Sequence, residues 1–200
     1  MKQLSVALTL FSMIFNGGCK KEAQGPGAMV QSAPNAATLD VNLIPQKMDN
    51  WCWAASAEMV LLYLGQQVPQ CSQANDRFGY SNCCITVTPK ACNQPGWPEF
   101  EKHALSYKRT SSAAISLKEL KDQIALKKNP IAFAWKWTGG GGGHMMVAVG
   151  YASVDAEDFI EVNNPWEPNI GSRQRMTYDE FVSAVDHTHW DDFYDFRKNQ

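Results

Sequence analysis

The sequence predicts one α+β domain, with a helical first half and an antiparallel sheet in the second half. The chain has 200 residues, of which 44% are hydrophobic and 19% are charged, the balance of one ordinary globular domain. Helical periodicity dominates before about residue 130, and short apolar or alternating runs separated by glycine and polar turns follow. Helices first and strands afterwards, without regular alternation, are typical of the α+β class.

Residues 1–18 have the pattern of an export signal. Lys2 precedes the apolar run LSVALTLFSMIF, and the small residues NGGC follow it. Cleavage before Cys19 would resemble the processing of bacterial lipoproteins, whose new N-terminal cysteine carries the lipid, although Asn16 stands where those signals usually have an aliphatic residue. We therefore expect export from a bacterial cell, either as a membrane-anchored lipoprotein or as a secreted or periplasmic protein.

Residues 19–39 are predicted to form a flexible tether, because they are rich in Ala, Gly, Pro and Gln and show no apolar periodicity. The folded domain is then expected to span residues 40–200. No later stretch is apolar for long enough to form a transmembrane helix, so the membrane is a partner only through a lipid at Cys19. The net charge is −2 and no basic stripe occurs, which argues against a nucleic-acid partner.

The first helix of the domain is predicted around Cys52. Apolar residues at 53, 57, 60, 61 and 64 follow the period of an amphipathic helix, and Gly65 suits its end. Asp49 or Asn50 can cap its beginning, which places Cys52 in the first turn.

Four cysteines in the segment after this helix predict two disulfides. The chain has six cysteines, and if Cys19 carries a lipid and Cys52 is free, an even number remains in an oxidising compartment. A bridge between the adjacent Cys83 and Cys84 is sterically poor, so Cys71 is expected to pair with one of them and Cys92 with the other. A zinc site formed by these four cysteines, with or without His103, is the alternative, but no CxxC spacing occurs and adjacent ligands fit a tetrahedral metal badly.

The later elements follow from caps and alternation. A short helix is expected within WPEFEKHALSYK, with Pro98 in its first turn. Ser116 and Glu119 form a capping box for a further helix, which the residues NP at 129 and 130 end. Strands are predicted over 131–137, 144–151 and 158–163, one more capped helix over 177–185, and a closing strand over 189–196.

Cys52 and His144 are the residues best placed for nucleophilic chemistry. A thiol in the first turn of a helix has a lowered pKa, because the unpaired backbone N–H groups and the helix dipole favour the thiolate. His144 opens an apolar strand directly after a five-glycine loop. By contrast, His103 on the short helix is expected to face solvent or to pack, and His187 and His189 in the polar VDHTHW are expected at the surface. The alternative for Cys52 is a buried cysteine that acts as a small apolar residue.

Two amides complete the arrangement that acyl transfer needs. If the strands that carry His144 and Asn164 pair as an antiparallel hairpin, the start of one lies beside the end of the other, and Asn164 can orient the imidazole. Gln46 can stabilise an oxyanion together with the backbone N–H of Cys52. A simple turn at NNP is the alternative for Asn164.

These residues resemble those of a papain-like cysteine peptidase. The matching features are CWA at 52–54, HMMVAVGY from His144, Asn164 followed by Trp166, and Gln46 six residues before the cysteine. NWCWAA, the double cysteine before CN, and the final PW are similar to a short bacterial branch of effector peptidases. The resemblance spans about residues 42–166. It implies a papain-like fold in which the helix of Cys52 packs on a C-terminal antiparallel sheet, and a Trp166 ring that shields the hydrogen bond between His144 and Asn164.

The resemblance departs from the family at two positions. Papain has a cysteine where this chain has Asp49, so papain's disulfide pattern does not transfer. Many bacterial relatives have aspartate where this chain has Asn164.

The function implied is that of an exported, monomeric thiol peptidase acting on proteins or peptides without a metal or a cofactor. Cys52 would form an acyl-enzyme, and His144 would act first as base and then as acid. Two alternatives remain open. The same thiol could cleave cell-wall peptides or transfer an acyl group, or the chain could be a catalytically inactive peptidase-like module that only binds.

Overall fold

The computed structural model describes residues 32–199, so the predicted export signal and Cys19 lie outside the described residues. The described part forms a helical half and an antiparallel sheet, which confirms the α+β class. The helices are α1 (Cys52–Tyr63), α2 (Gln70–Phe78), α3 (Leu117–Lys121) and α4 (Tyr178–Val182). The strands are β1 (Ala36–Thr38), β2 (Leu105–Arg109), β3 (Ile131–Trp137), β4 (Gly143–Val154), β5 (Glu157–Asn164), β6 (Ser172–Thr177) and β7 (His187–Lys198). No helix in this range is long and apolar enough to cross a membrane.

The sheet has the order β2-β7-β3-β4-β5-β6, and β1 pairs with the outer part of β4. Every pairing is antiparallel. The glycine loop joins β3 to β4, and a tight turn joins β4 to β5, so β4 lies at the centre of a three-stranded unit. Because β4 and β5 are antiparallel neighbours, the start of β4 lies beside the end of β5.

Helix α1 packs against β4 and β3 and is buried on most of its surface. Its small residues Ala54, Ala55 and Ala57 allow close approach to the sheet, while Met59 and Leu61 fill the space around them. A helix that is apolar on nearly all sides belongs in a core. The first residue of α1, Cys52, therefore has a position fixed by extensive packing.

Helix α2 is absent from the sequence prediction, because it has no apolar stripe. Its buried positions include Gln70 and Gln73. The amide of Gln70 donates to the carbonyl of Pro45 at 3.0 Å, and that of Gln73 donates to the carbonyl of Ala54 at 3.0 Å. Polar side chains can be buried when such bonds satisfy them, but these partners are remote in sequence and periodicity does not reveal them.

The cysteines after α1 form two disulfides, Cys71 with Cys84 and Cys83 with Cys92. This is one of the two pairings that the sequence leaves open. All four sulfurs are joined in pairs, so none is a thiolate that could bind zinc.

The helix predicted within WPEFEKHALSYK is mostly wrong. A short 3-10 turn covers Phe100–His103, and β2 begins at Leu105. Leu105 is buried and pairs with Lys198 of β7, far along the chain. Pairing with the sheet edge overrides a weak local helical pattern.

The folded part begins before the expected boundary at residue 40. Strand β1 lies within the segment predicted as a tether, and Tyr151 donates its hydroxyl to the carbonyl of Pro34 at 2.7 Å. The segment is rich in alanine, which has a low strand propensity, so no sequence pattern indicates that it extends the sheet.

The predicted cap of α4 is present, whereas the capping box predicted at α3 is only half formed, because the carboxylate of Glu119 accepts from Gln123 and Lys127 instead. Ser116 accepts from the backbone N–H of Glu119 at 3.2 Å, and α3 continues as a π-helical turn over Asp122–Leu126. Thr177 and Glu180 form a complete capping box at α4.

Candidate active site

Cys52 is the first residue of α1, and the turn before it is held by the disulfide segment. Trp51, rather than Asp49 or Asn50, occupies the cap position and makes no side-chain cap bond. Its indole N–H donates to the carbonyl of Cys92 at 2.7 Å, while the side chain of Asn50 donates to the carbonyl of Asn93 at 3.0 Å. The backbone N–H groups of the first turn have no partner within the helix and are free to face an anion.

Cys52 is the free cysteine among residues 32–199, and its sulfur is closely surrounded by protein atoms. Burial raises the pKa of the Cys52 thiol, and backbone N–H groups of Met145, Trp53 and Cys52 itself oppose that rise without overcoming it. The predicted lowering of this pKa is therefore wrong for the unliganded protein. The thiol is neutral at rest and needs a base.

His144 and Asn164 are brought together at the start of β4 and the end of β5. The Nε2 atom of His144 lies 2.7 Å from Oδ1 of Asn164. The backbone N–H of Trp166 donates to the same oxygen at 2.9 Å. Because a backbone N–H can only donate, the atom between them is the amide oxygen, so Nε2 of His144 carries the proton. The other ring nitrogen, Nδ1, then has the free lone pair of a base.

Burial lowers the pKa of the His144 imidazole, and the hydrogen bond to Asn164 partly offsets this. A lowered pKa keeps the ring neutral at pH 7 and able to accept a proton. The ring of Trp137 lies parallel to the imidazole with centroids 6.4 Å apart. Asn164 therefore fixes the tautomer of the imidazole, and Trp137 is its aromatic neighbour.

Gln46 is fully buried before α1, and its amide is already engaged. Nε2 donates to the carbonyl of Met48 at 2.9 Å and to that of Asp49 at 2.8 Å, while Oε1 has no partner. An amide nitrogen has two hydrogens, so both are in use. Donation to an oxyanion requires Gln46 to give up one of these bonds, and its oxyanion role stays a prediction.

Cys52 and His144 together line two cavities. One has a volume of about 340 Å³ and is largely apolar. The other has a volume of about 630 Å³ and also reaches Asn164, Trp166 and Gln174. Trp166 is 46% exposed, at the rim rather than over the imidazole as a full cover. The two cavities give a substrate room beside the thiol.

The aromatic walls of these cavities are the functional feature that the sequence analysis missed. Trp97, Trp135 and Trp190 line the smaller cavity, and Trp137 lines the larger one. Trp135 and Trp137 lie on β3, Trp190 on β7 and Trp97 in a loop, so no single local motif signals the set. The surface role predicted for His187 and His189 is wrong, since both are buried and face backbone carbonyls of α4.

Comparison with known proteins adds a family and a set of similar folds. A family model described as "Peptidase_C39 like family" matches residues 38–195. No curated protein sequence matches the chain with significance. Among solved structures, digestive procathepsin L 3 of Tenebrio molitor is similar with 13% identity and a TM-score of 0.48, over 82% of this chain and 70% of that one.

Two further solved structures are similar. A structure from a study of the mite allergens Blo t 1 and Der p 1 has 12% identity and a TM-score of 0.47, over 86% of this chain and 74% of that one. Xylellain, a cysteine protease from Xylella fastidiosa, has 12% identity and a TM-score of 0.43, over 84% of this chain and 87% of that one.

Proposed function

The chain belongs to the Peptidase_C39 like family, and from this premise we propose that it hydrolyses peptide bonds through an acyl-enzyme on Cys52. The observation that carries the proposal is the hydrogen bond of 2.7 Å between His144 and Asn164, at a cavity that Cys52 also lines. A thiol, a base with a defined tautomer and a group that orients the base are the parts that nucleophilic catalysis needs.

The first half of the reaction forms a thioester. Nδ1 of His144 takes the proton of the Cys52 thiol as the sulfur attacks the peptide carbonyl, because both pKa shifts favour the neutral pair at rest. The imidazolium then gives this proton to the leaving amine as the carbon–nitrogen bond breaks. In the second half, His144 removes a proton from water, the hydroxide attacks the thioester, and the thiol regains its proton as the acid product leaves.

Asn164 keeps the imidazole oriented through both halves without adding a charge. The oxyanion is stabilised by the backbone N–H of Cys52 at the start of α1. The amide of Gln46 joins it after exchanging the carbonyl of Met48 or Asp49 for the substrate oxygen. Trp166, at the rim of the larger cavity, would shield the bond between His144 and Asn164 only in part.

We place the reaction outside the bacterial cytoplasm, on proteins or peptides, and expect a monomer. Two disulfides within residues 71–92 suit an oxidising compartment. The export signal predicted over 1–18 would take the chain there, and a lipid on Cys19 would retain it at the membrane.

The test compares the wild type with Cys52→Ala and Cys52→Ser on casein. We expect peptide release by the wild type alone, and preferential labelling of Cys52 by a thiol alkylator. A matched His144→Ala variant keeps the thiol and should lose turnover. Turnover that survives Cys52→Ala would contradict the mechanism. Purified peptidoglycan, assayed in parallel, distinguishes general proteolysis from cleavage of cell-wall peptides.

A further inference from the structure

The smaller cavity beside Cys52 has aromatic walls and one permanently charged group. Trp53, Trp97, Trp135 and Trp190 line it, together with Arg77 from the last turn of α2. The Cys52 thiol and the His144 imidazole, which also line it, are neutral in the resting protein. Arg77 is therefore the fixed charge of this cavity.

The guanidinium of Arg77 is held in place by aromatic rings, and its nearest carboxylate lies beyond hydrogen-bond distance. Its Cζ lies 5.7 Å from the centroid of the Trp53 ring and 5.9 Å from that of Phe78. Nε is buried and has no hydrogen-bond partner. A Cβ atom at Gly96 would lie 2.6 Å from this Nε, so only glycine leaves room for the side chain as it stands.

The nearby carboxylate does not satisfy Arg77. One oxygen of Glu99 is 3.8 Å from a terminal nitrogen of Arg77, beyond hydrogen-bond distance, whereas the other is 2.9 Å from Nζ of Lys102. Two cations thus share one anion. Arg109 behind Trp97 is different, because its Nε donates to Asp191 at 3.0 Å. Of these two arginines, Arg77 keeps its terminal N–H groups unpaired at the cavity.

We propose that Arg77 makes this cavity selective for an acidic side chain of the substrate. A glutamate or aspartate carboxylate would accept from the two terminal N–H groups of Arg77, a geometry suited to paired hydrogen bonds. The methylene groups of the side chain would pack against Trp97 and Trp190, whose rings contact each other with centroids 4.9 Å apart. An uncharged apolar side chain would fill the same space but leave these terminal donors unpaired. The inference rests on the proposed peptidase activity.

The experiment measures cleavage-site preference and then tests it with paired peptides. The wild type digests a mixed library of proteome-derived peptides, with Cys52→Ala as control, and the cleaved bonds are mapped by mass spectrometry. Paired fluorogenic peptides then differ only by glutamate or glutamine at the preferred position. We expect kcat/KM to favour glutamate by about 10- to 100-fold, the range of a hydrogen bond to a charged group.

Three variants assign the preference to Arg77. Arg77→Gln should bring the ratio of glutamate to glutamine close to one, and Arg77→Lys, which keeps the charge but not the fork, should leave an intermediate ratio. Lys136→Gln removes an exposed cation whose Nζ lies 5.9 Å from the Trp190 ring, and it should keep the wild-type ratio.

The outcomes separate the two proposals. If cleavage depends on Cys52 but the wild type shows no preference for acidic residues, the proposed selectivity is wrong. This result does not depend on whether the Arg77 variants fold. A preference that persists in folded Arg77→Gln also overturns the proposed selectivity. Failure of the wild type to cleave any peptide would instead contradict the proposed function.

Discussion

Replacing Asn164 with aspartate should move the acid limb of the pH profile to higher pH. The change puts a carboxylate where the amide oxygen now lies 2.7 Å from Nε2 of His144. A negative charge favours the imidazolium, so the lowered pKa of His144 rises. A higher pH is then needed to remove its proton and give the neutral base. A carboxylate in direct contact raises such a pKa by about 1 to 3 units, or about 1.4 to 4 kcal/mol.

The assay is kcat/KM on one fluorogenic peptide across the acidic and neutral range. We expect the acid limb of Asn164→Asp to move upward by about 1 to 3 pH units. Asn164→Ala should move it downward, because it removes the bond that raises the pKa of His144, and should lower the plateau as the ring loses its orientation.

Gln174→Glu is the matched control. It adds the same charge to the same cavity, but at an exposed residue whose amide bonds to Ser172. Solvent screens such a charge, so the limb should move by less than about 0.5 unit. If Asn164→Asp and Gln174→Glu give the same profile as the wild type, His144 does not act as the base in contact with residue 164.

Three further predictions concern stability. Replacing both Cys83 and Cys92 with alanine should lower the free energy of unfolding in urea by about 2.6 kcal/mol, from the entropy of a loop with sequence separation 9, and an unchanged midpoint would argue against this disulfide. Gly143→Ala places a Cβ 1.9 Å from a carbonyl oxygen of β3, so a cost of about 1 to 3 kcal/mol is expected in thermal unfolding, whereas Gly139→Ala, which meets open space, should fold normally. Thr177→Ala removes the capping box of α4 and should cost about 1 kcal/mol by chemical denaturation, and a loss near zero would show that α4 is held by packing alone.

The parts of the site that the sequence predicts are those with strong local signals. Cys52 stands at the start of an apolar helix, and His144 starts an apolar strand, so both could be placed from periodicity alone. Asn164 followed because consecutive antiparallel strands are usually neighbours. The family match confirms the predicted kinship with cysteine peptidases.

The missed features depend on contacts between distant segments. Helix α2 buries Gln70 and Gln73 against carbonyls of other loops, and β2 exists because β7 lies beside it. The raised pKa of Cys52 reflects how many protein atoms surround the sulfur, which no sequence motif reports. Arg77 reaches the cavity past Gly96, and this contact between distant segments also could not be predicted from a local motif.

The link from the disulfide segment to Cys52 bears on when the enzyme becomes competent. The indole of Trp51 is held by the carbonyl of Cys92, whose own position depends on its bond to Cys83. Newly synthesised chains meet glutathione and thioredoxin, which keep cysteines reduced. With the export proposed above, we therefore expect the peptidase to stay inactive during synthesis and to mature only outside the cytoplasm, which would protect the producing cell's own proteins.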